Sequence, residues 1–185
     1  MVNKQTIWTF LEPLMYAEEF IHLAEISREL KSPHATVRQY LNWFEKEGIV
    51  IKQIKGRLTI YKINYSNPLI IDYLILAEKD KLVRKLYNDL LMKEIVSFLH
   101  NINLDTIIIF GSSVKNTKSI NDIDLVVIGK KETNFKDFEK KFNVKFHIIN
   151  VNKLEEINES LKREIRKKHL IIENSEKVIK WMLKN

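Results

Sequence analysis

The sequence predicts an α+β chain in two parts: an N-terminal run of helices closed by a hairpin, and a small C-terminal α/β domain with a mixed sheet. Three observations predict it. Apolar residues recur at helical spacing from residue 5 to about residue 48, and two β-rich runs follow around Lys55, Gly56 and Arg57. Beyond residue 101 the pattern becomes short continuous apolar runs separated by helical stretches. Between the two, residues 68–100 read as one or two connecting helices. The predicted division is therefore 1–67, 68–100 and 101–185.

Composition limits the classes of function. The 185 residues are 45% hydrophobic and 30% charged, with only four glycines and three prolines, which fits folded globular domains rather than disordered tracts. No segment reaches the ~20 uncharged apolar residues of a membrane span. No secretory leader is read at the N-terminus. Cysteine is absent, which excludes disulfides and thiolate metal sites. Cytoplasmic placement is expected. The net charge of +7 favours polyanionic partners, either nucleic acid or nucleotides.

Each N-terminal element has a local cause. Residues 5–15 place Ile7, Phe10, Leu11 and Leu14 at helical spacing, with Pro13 to end or bend the helix. Residues 22–30 put Leu23, Ile26 and Leu30 on one face. Ser32 is the expected N-cap and Pro33 the first residue of the next helix. Its stripe is Val37, Tyr40, Leu41 and Phe44, and Gly48 stops it. In the connector, Leu69, Ile70, Tyr73, Leu74 and Ala77 begin a stripe that Leu82, Leu86, Leu90, Leu91, Ile95 and Phe98 extend. That stripe is read as packing on a domain core or as a homodimer seam.

The stretches HLAEISREL, SPHATVRQYLNWFEKEGIV and KQIKGRLTIYKIN, within residues 6–64, resemble the winged helix-turn-helix domains of prokaryotic transcription regulators. The resemblance implies a double-stranded DNA partner, with the helix from Pro33 in the major groove. Exclusion from the apolar stripe leaves His34, Thr36, Arg38, Gln39 and Asn42 as readers of bases and phosphates. Lys52, Lys55 and Arg57 on the hairpin are expected to grip phosphates. The alternative is a domain used for protein contacts.

In the second part, residues 105–110, 122–128 and 144–151 are strand-length apolar runs, with helical patterns at 134–142 and 154–168. Residues 169–185 read as a short strand followed by a helix. The informative stretch is FGSSVKNTKSINDIDLVVIG, which begins at Phe110. Asp122 and Asp124 stand two apart at the head of a strand, so both side chains point to one face, with Cα atoms ~6.5 Å apart. Adjacent ionised carboxylates repel unless a cation joins them, and Mg²⁺ or Mn²⁺ accepts such oxygens together with phosphate and water. Gly111, Ser112 and Ser113 form a turn that lets backbone N–H groups approach a phosphate, and Lys115 is a candidate phosphate contact.

Gly-Ser, nine residues and then Asp-x-Asp resembles the signature of the DNA polymerase β-like nucleotidyltransferase superfamily, in its minimal prokaryotic and archaeal form. The resemblance implies that Gly111 and Ser112 contact the triphosphate of a nucleotide, ATP above all. Asp122 and Asp124 would ligate the metals, and an acceptor hydroxyl would attack the α-phosphorus with loss of pyrophosphate. Family members carry a third carboxylate on the next strand. In KFHIINV no Asp or Glu stands, and His147 occupies the nearest place as a candidate base or ligand. More generally, a histidine in a strand is more often a satisfied core residue. Asn116 and Asn121 also depart from the family pattern.

Three functional readings result. One is an enzyme that transfers AMP to a protein or small-molecule hydroxyl, an autoregulating antitoxin among them. Another is a transcription regulator whose second domain only senses a nucleotide or a partner protein. The third is an interaction module that binds neither DNA nor nucleotide. The basic run from Lys162 to Lys168 is read as a solvated helix face, and Trp43 and Trp181 as core residues.

Overall fold

The computed structural model describes residues 5–102, 104–114, 122–129 and 135–184. The chain forms two compact units, Met1–Asp80 and Lys81–Asn185.

In the first unit, the expected helix at residues 5–15 is two 3₁₀ turns, Ile7–Phe10 and Glu12–Leu14. Pro13 has no N–H to continue an α-helical ladder, so the apolar spacing is met by tighter turns. Phe10, Leu11 and Leu14 are buried all the same. A short strand β1 (Ile21–His22) leads into helix α1 (Leu23–Glu29). Helix α2 runs His34–Lys46, with Pro33 rather than Ser32 as its N-cap. The Ser32 hydroxyl is used elsewhere, donating to Gln5 Oε1 and to the Leu30 carbonyl.

Helix α2 buries Val37, Leu41 and Phe44, and Tyr40 stacks on Phe10 with ring centroids 4.1 Å apart. Gly48 stops it at a φ of +68°. The Gly48 N–H donates to the Glu45 carbonyl and the Ile49 N–H to the Phe44 carbonyl, which closes the last turn. Strands β2 (Val50–Lys55) and β3 (Leu58–Ile63) make the predicted hairpin, with Gly56 at a φ of +63° in the two-residue loop. β1 pairs with the far side of β3, giving an antiparallel sheet in the order β1-β3-β2. Sequence reasoning missed β1, because two residues carry no readable period.

The connector is two helices, α3 (Ile70–Asn88) and α4 (Leu90–Asn101). Asp89 separates them. Its carboxylate accepts the Met92 N–H as N-cap of α4 and meets Lys85 at 2.9 Å.

The sheet of the second unit is mixed, in the order β6-β5-β4-β7. Strand β4 (Thr106–Phe110) is antiparallel to both β5 (Asp122–Ile128) and β7 (His169–Glu173), and β5 runs parallel to β6 (Lys145–Val151). Helix α5 (Lys136–Phe142) makes the β5–β6 crossover, a connection that parallel strands require. Ile107, Ile109, Ile123, Leu125, Val127, Leu170 and Ile172 point to one face and pack with Met92, Ile95 and Leu99 of α4. The opposite parity, Ile108, Val126 and Ile171, is buried as well, so the sheet is covered on both faces. This explains why β4, β5 and β7 read as unbroken apolar runs.

The expected helix at 154–168 is a 3₁₀ turn, Leu154–Glu156, and then α6 (Glu159–Lys167). Asn158 separates the two, its side chain capping Leu161 at 2.9 Å. Helix α7 (Ser175–Leu183) closes the chain. Among the described residues, no helix is long and apolar enough to cross a membrane.

Candidate functional site

Register places the acidic pair. Phe110, the last residue of β4, lies opposite Asp124 on β5, and Asp124 lies beside His147 on β6. Directly opposed residues share a face, so Asp124, Phe110 and His147 form one row, and Asp122 follows on the same face two residues away. His147 is not the satisfied core histidine expected from a strand position. Its side chain is 60% exposed, with Nδ1 3.4 Å from Asp124 Oδ1 and Nε2 3.9 Å from Asp122 Oδ1. Asp122 is exposed and Asp124 half-buried.

The Gly-Ser turn is fitted to this pair. Residues Gly111–Val114 make one 3₁₀ turn, and Gly111 holds a φ of +76°, a conformation that disfavours a side chain. A Cβ on Gly111 would stand 2.9 Å from Asp124 Oδ2. The turn and the carboxylate therefore touch, and only hydrogen fits between them. The Gly111 N–H donates to the Lys168 carbonyl at 3.2 Å, which ties the turn to the start of β7. Ser113 is fully buried, its hydroxyl donating to the Phe110 carbonyl at 3.3 Å, so it holds the turn and does not face solvent. Ser112 is exposed beside it. Lys115, Asn116, Lys118 and Asn121 lie outside the described residues.

Among the described residues, no cluster of three or more His, Cys, Asp and Glu side chains is arranged to hold a metal ion by itself. The donor set still fits a cation that arrives with its ligand. Mg²⁺ binds through one or two carboxylates plus substrate phosphates and retains water, so two aspartates beside a phosphate-sized turn are the protein's share.

In the basic run, Arg163, Lys167 and Lys168 are exposed as expected, whereas Lys162 and Arg166 depart from the solvated reading. Lys162 is 5% exposed and donates to the Lys184 carbonyl at 2.6 Å, its ammonium 5.5 Å from the Trp181 ring. Arg166 donates to the carbonyls of Met182 and Lys184. Both charges cap the C-terminus of α7. Trp181 is core as expected, whereas Trp43 is 38% exposed. Lys177 pairs with Asp105 at 2.7 Å, and this bond holds the Asp105 carboxyl below the usual carboxylate range, with the Thr106 hydroxyl adding to it.

On the first unit, His34, Arg38, Gln39 and Asn42 are exposed on the outer side of α2, and Thr36 is half-buried. Lys55 and Arg57 are exposed at the hairpin tip. Lys52 instead meets Glu45 of α2 at 3.3 Å, so part of its charge is used inside the unit. Sequence reasoning missed that pair, because residues 45 and 52 meet only through the turn at Gly48. It also missed Ile54 and Leu58, 75% and 53% exposed, which bracket the two basic residues at the tip.

Among curated proteins, none matches this chain. Among solved structures, the chain is similar to TrmBL2, an archaeal chromatin protein reported with a novel mode of DNA binding, at 15% identity and a TM-score of 0.30. That similarity covers 80% of this chain and 64% of the other, so the chain spans less than two thirds of that protein's length. The model of the nucleotidyltransferase domain matches residues 90–182, which contain α4, the Gly-Ser turn, the paired aspartates and His147. That match takes in half of the sequence, and by it the chain belongs to the nucleotidyltransferase domain family.

Proposed function

We propose that this protein is a DNA-binding member of that family, whose second unit takes a nucleoside triphosphate with Mg²⁺ or Mn²⁺ between the Gly111–Ser112 turn and Asp122 and Asp124. The observation that carries the reading is the fit of Gly111 against Asp124, in a row that also contains His147. Two carboxylates on one face, with the His147 imidazole beside them and no Lys or Arg pair among the described contacts, suit a divalent ion shared with a phosphate chain.

The division of labour follows from position. The Ser112 hydroxyl and the backbone of the turn would bind the triphosphate, and the aspartates would hold the metal. The metal supplies charge neutralisation along the phosphates and orients the reacting groups. An acceptor hydroxyl, on a protein or a small molecule, would form the new bond to the α-phosphorus as the bond to pyrophosphate breaks. His147 would take the hydroxyl proton, since its exposed ring stands beside both aspartates. With ATP as donor, the group transferred is AMP. An antitoxin that modifies a partner protein and represses its own synthesis is the finest form of this reading.

A second reading has its own support. Strand β6 carries no carboxylate, and one neutral imidazole is a weaker ligand for a hard cation than a third aspartate. On this reading the domain binds nucleotide without turnover and modulates DNA affinity. Titration with ATP and Mg²⁺ by calorimetry tests the common element: saturable, metal-dependent binding is expected, and its absence with every nucleotide removes both readings. Mass spectrometry after incubation with ATP and candidate acceptors separates them, a gain of one AMP marking the enzyme.

The first unit supplies the DNA contact. Its support is the exposed face of α2 beside a hairpin with Lys55 and Arg57 at its tip. Electrophoretic shift at low salt should show binding that weakens steeply as salt rises. Arg38→Ala should weaken it, while Lys52→Ala, which loses a charge already paired with Glu45, should do less.

A further inference from the structure

The tip of the β2–β3 hairpin carries more than its two cations. Register divides the ribbon into two faces. Val50, Lys52 and Ile54 lie opposite Ile63, Tyr61 and Thr59 and share one face. Ile51, Gln53 and Lys55 lie opposite Lys62, Ile60 and Leu58 and share the other. At its base the first face is core, with Val50, Tyr61 and Ile63 buried. Lys52 marks where the ribbon leaves α2, since its ammonium meets Glu45 of that helix. From there the strand runs on to Lys55, ~10 Å at ~3.4 Å per residue. On this overhang Ile54 and Leu58 are exposed, one on each face, so the tip is a blade with an aliphatic side chain on both flats.

Charge identifies what the blade enters. No Asp or Glu stands between Gly48 and Ile71. Of the four cations on β2, β3 and their loop, Lys52 is paired with Glu45, and Lys62 donates to the Glu18 carbonyl. Lys55 and Arg57 are exposed and have no charge partner among the described residues. Free cations beside bare aliphatic carbon suit a slot with anionic rims and a less polar interior. The minor groove of DNA is such a slot, with phosphates along its edges and sugars and stacked base steps between them. It is ~6 Å wide, and two strands lie ~4.8 Å apart before side chains are counted. The loop can therefore start into the groove, but Ile54 and Leu58 can follow only if the groove is forced open.

We infer that the hairpin tip is a wedge. Ile54 and Leu58 enter the minor groove, prise a base step apart and bend the duplex, while Lys55 and Arg57 hold the phosphates on either side. The inference rests on the DNA-binding reading of the first unit. It adds a preference that phosphate contacts lack, for pyrimidine–purine steps, which unstack readily.

Two duplexes made only of A·T pairs test it without knowledge of a binding site. One alternates T and A; the other is an uninterrupted A-tract. Cations alone favour the A-tract, whose narrow minor groove concentrates negative potential. A wedge favours the alternating duplex, whose TA steps open easily. By fluorescence anisotropy at low salt, the full chain should bind the alternating duplex at least about five-fold more tightly. Energy transfer between dyes on its two ends should rise on binding, as the duplex bends. The Ile54→Ser/Leu58→Ser variant should lose both the preference and the bend, with an unchanged melting temperature, because both side chains are exposed. A parent that prefers the A-tract, or a variant that keeps the preference, overturns the wedge and leaves the DNA contact standing. A parent that binds neither duplex, but floats with phosphatidylserine vesicles, overturns the wedge and the DNA reading together.

Discussion

Two charged clusters of the second unit make opposite use of their charge. On α6, Lys162 and Arg166 are answered from within the unit, by the last carbonyls of α7 and the face of Trp181. At the head of β5, Asp122 and Asp124 have an imidazole at 3.9 and 3.4 Å and a glycine held open against one of them. The first cluster is complete without a ligand. The second makes physical sense once a cation and an anion share it. From the sequence, the acidic pair read as a cation site and the basic run as a solvated face; the counterpart of Lys162 and Arg166 on α7 was not legible. The difference lies in whether each charge finds its counterpart in the fold.

This contrast gives variants of opposite character. The largest expected effect is at the acidic pair. Asp124→Asn should reduce Mg²⁺-dependent nucleotide affinity by at least about ten-fold, equivalent to ~1.4 kcal/mol, measured by calorimetry. The same variant should melt no lower than the parent, because it removes a like-charge repulsion. A drop in melting temperature with intact binding would reverse the assignment of roles.

Next come Lys162→Met and Arg166→Met. Each strands helix-terminal carbonyls that a charge had satisfied, at a cost of about 1.5–3 kcal/mol. Denaturant unfolding should record that loss, with nucleotide affinity unchanged.

Gly111→Ala falls between the two kinds and sharpens the comparison. The left-handed backbone alone costs about 1–2 kcal/mol for a residue with a Cβ, and the new methyl group must displace the Asp124 carboxylate. Stability and nucleotide binding should therefore fall together, in unfolding and calorimetry on the same sample. Loss of stability alone would mean that the turn and the carboxylate are not coupled.

The smallest effect belongs to Asp105. Its carboxyl is held low chiefly by the Lys177 ammonium, so the stabilisation is present above the unfolded pKa and is lost as pH falls through the folded one. The pair is about half exposed, so solvent screening keeps its worth below ~1 kcal/mol. Asp105→Asn should lower the stability curve at neutral pH by that small amount, and the difference from the parent should fade as pH falls below about 4.

What the sequence made legible follows the same division. Strand β5 was read to the residue, since continuous apolar runs have one interpretation once helices alternate with them. The acidic pair was legible because a two-residue spacing on a strand determines its face. The turn at Gly111 was placed, but the contact that makes glycine necessary there depends on β4–β5 register, which no local pattern encodes. His147 was found by position and misjudged in burial, because a strand at the sheet edge looks like one at its centre when its residues are apolar. The 3₁₀ turns at residues 7–14 were taken for one helix, since both satisfy the same apolar spacing. The stripe named on α3 mixed Leu69 with the inward residues, so one sequence pattern concealed two faces.

Strand β6 ends the sheet with Ile148 and Ile149 partly bare, a shape that invites a neighbouring chain to extend it into a fibre. Glu139 of α5 reaches over and takes the Phe146 N–H at 2.8 Å, so the first rung offered to such a neighbour already bears a carboxylate. A strand adding to this edge would have to displace that carboxylate to reach the Phe146 N–H, so the crossover helix raises the cost of pairing at the end of β6 nearest His147.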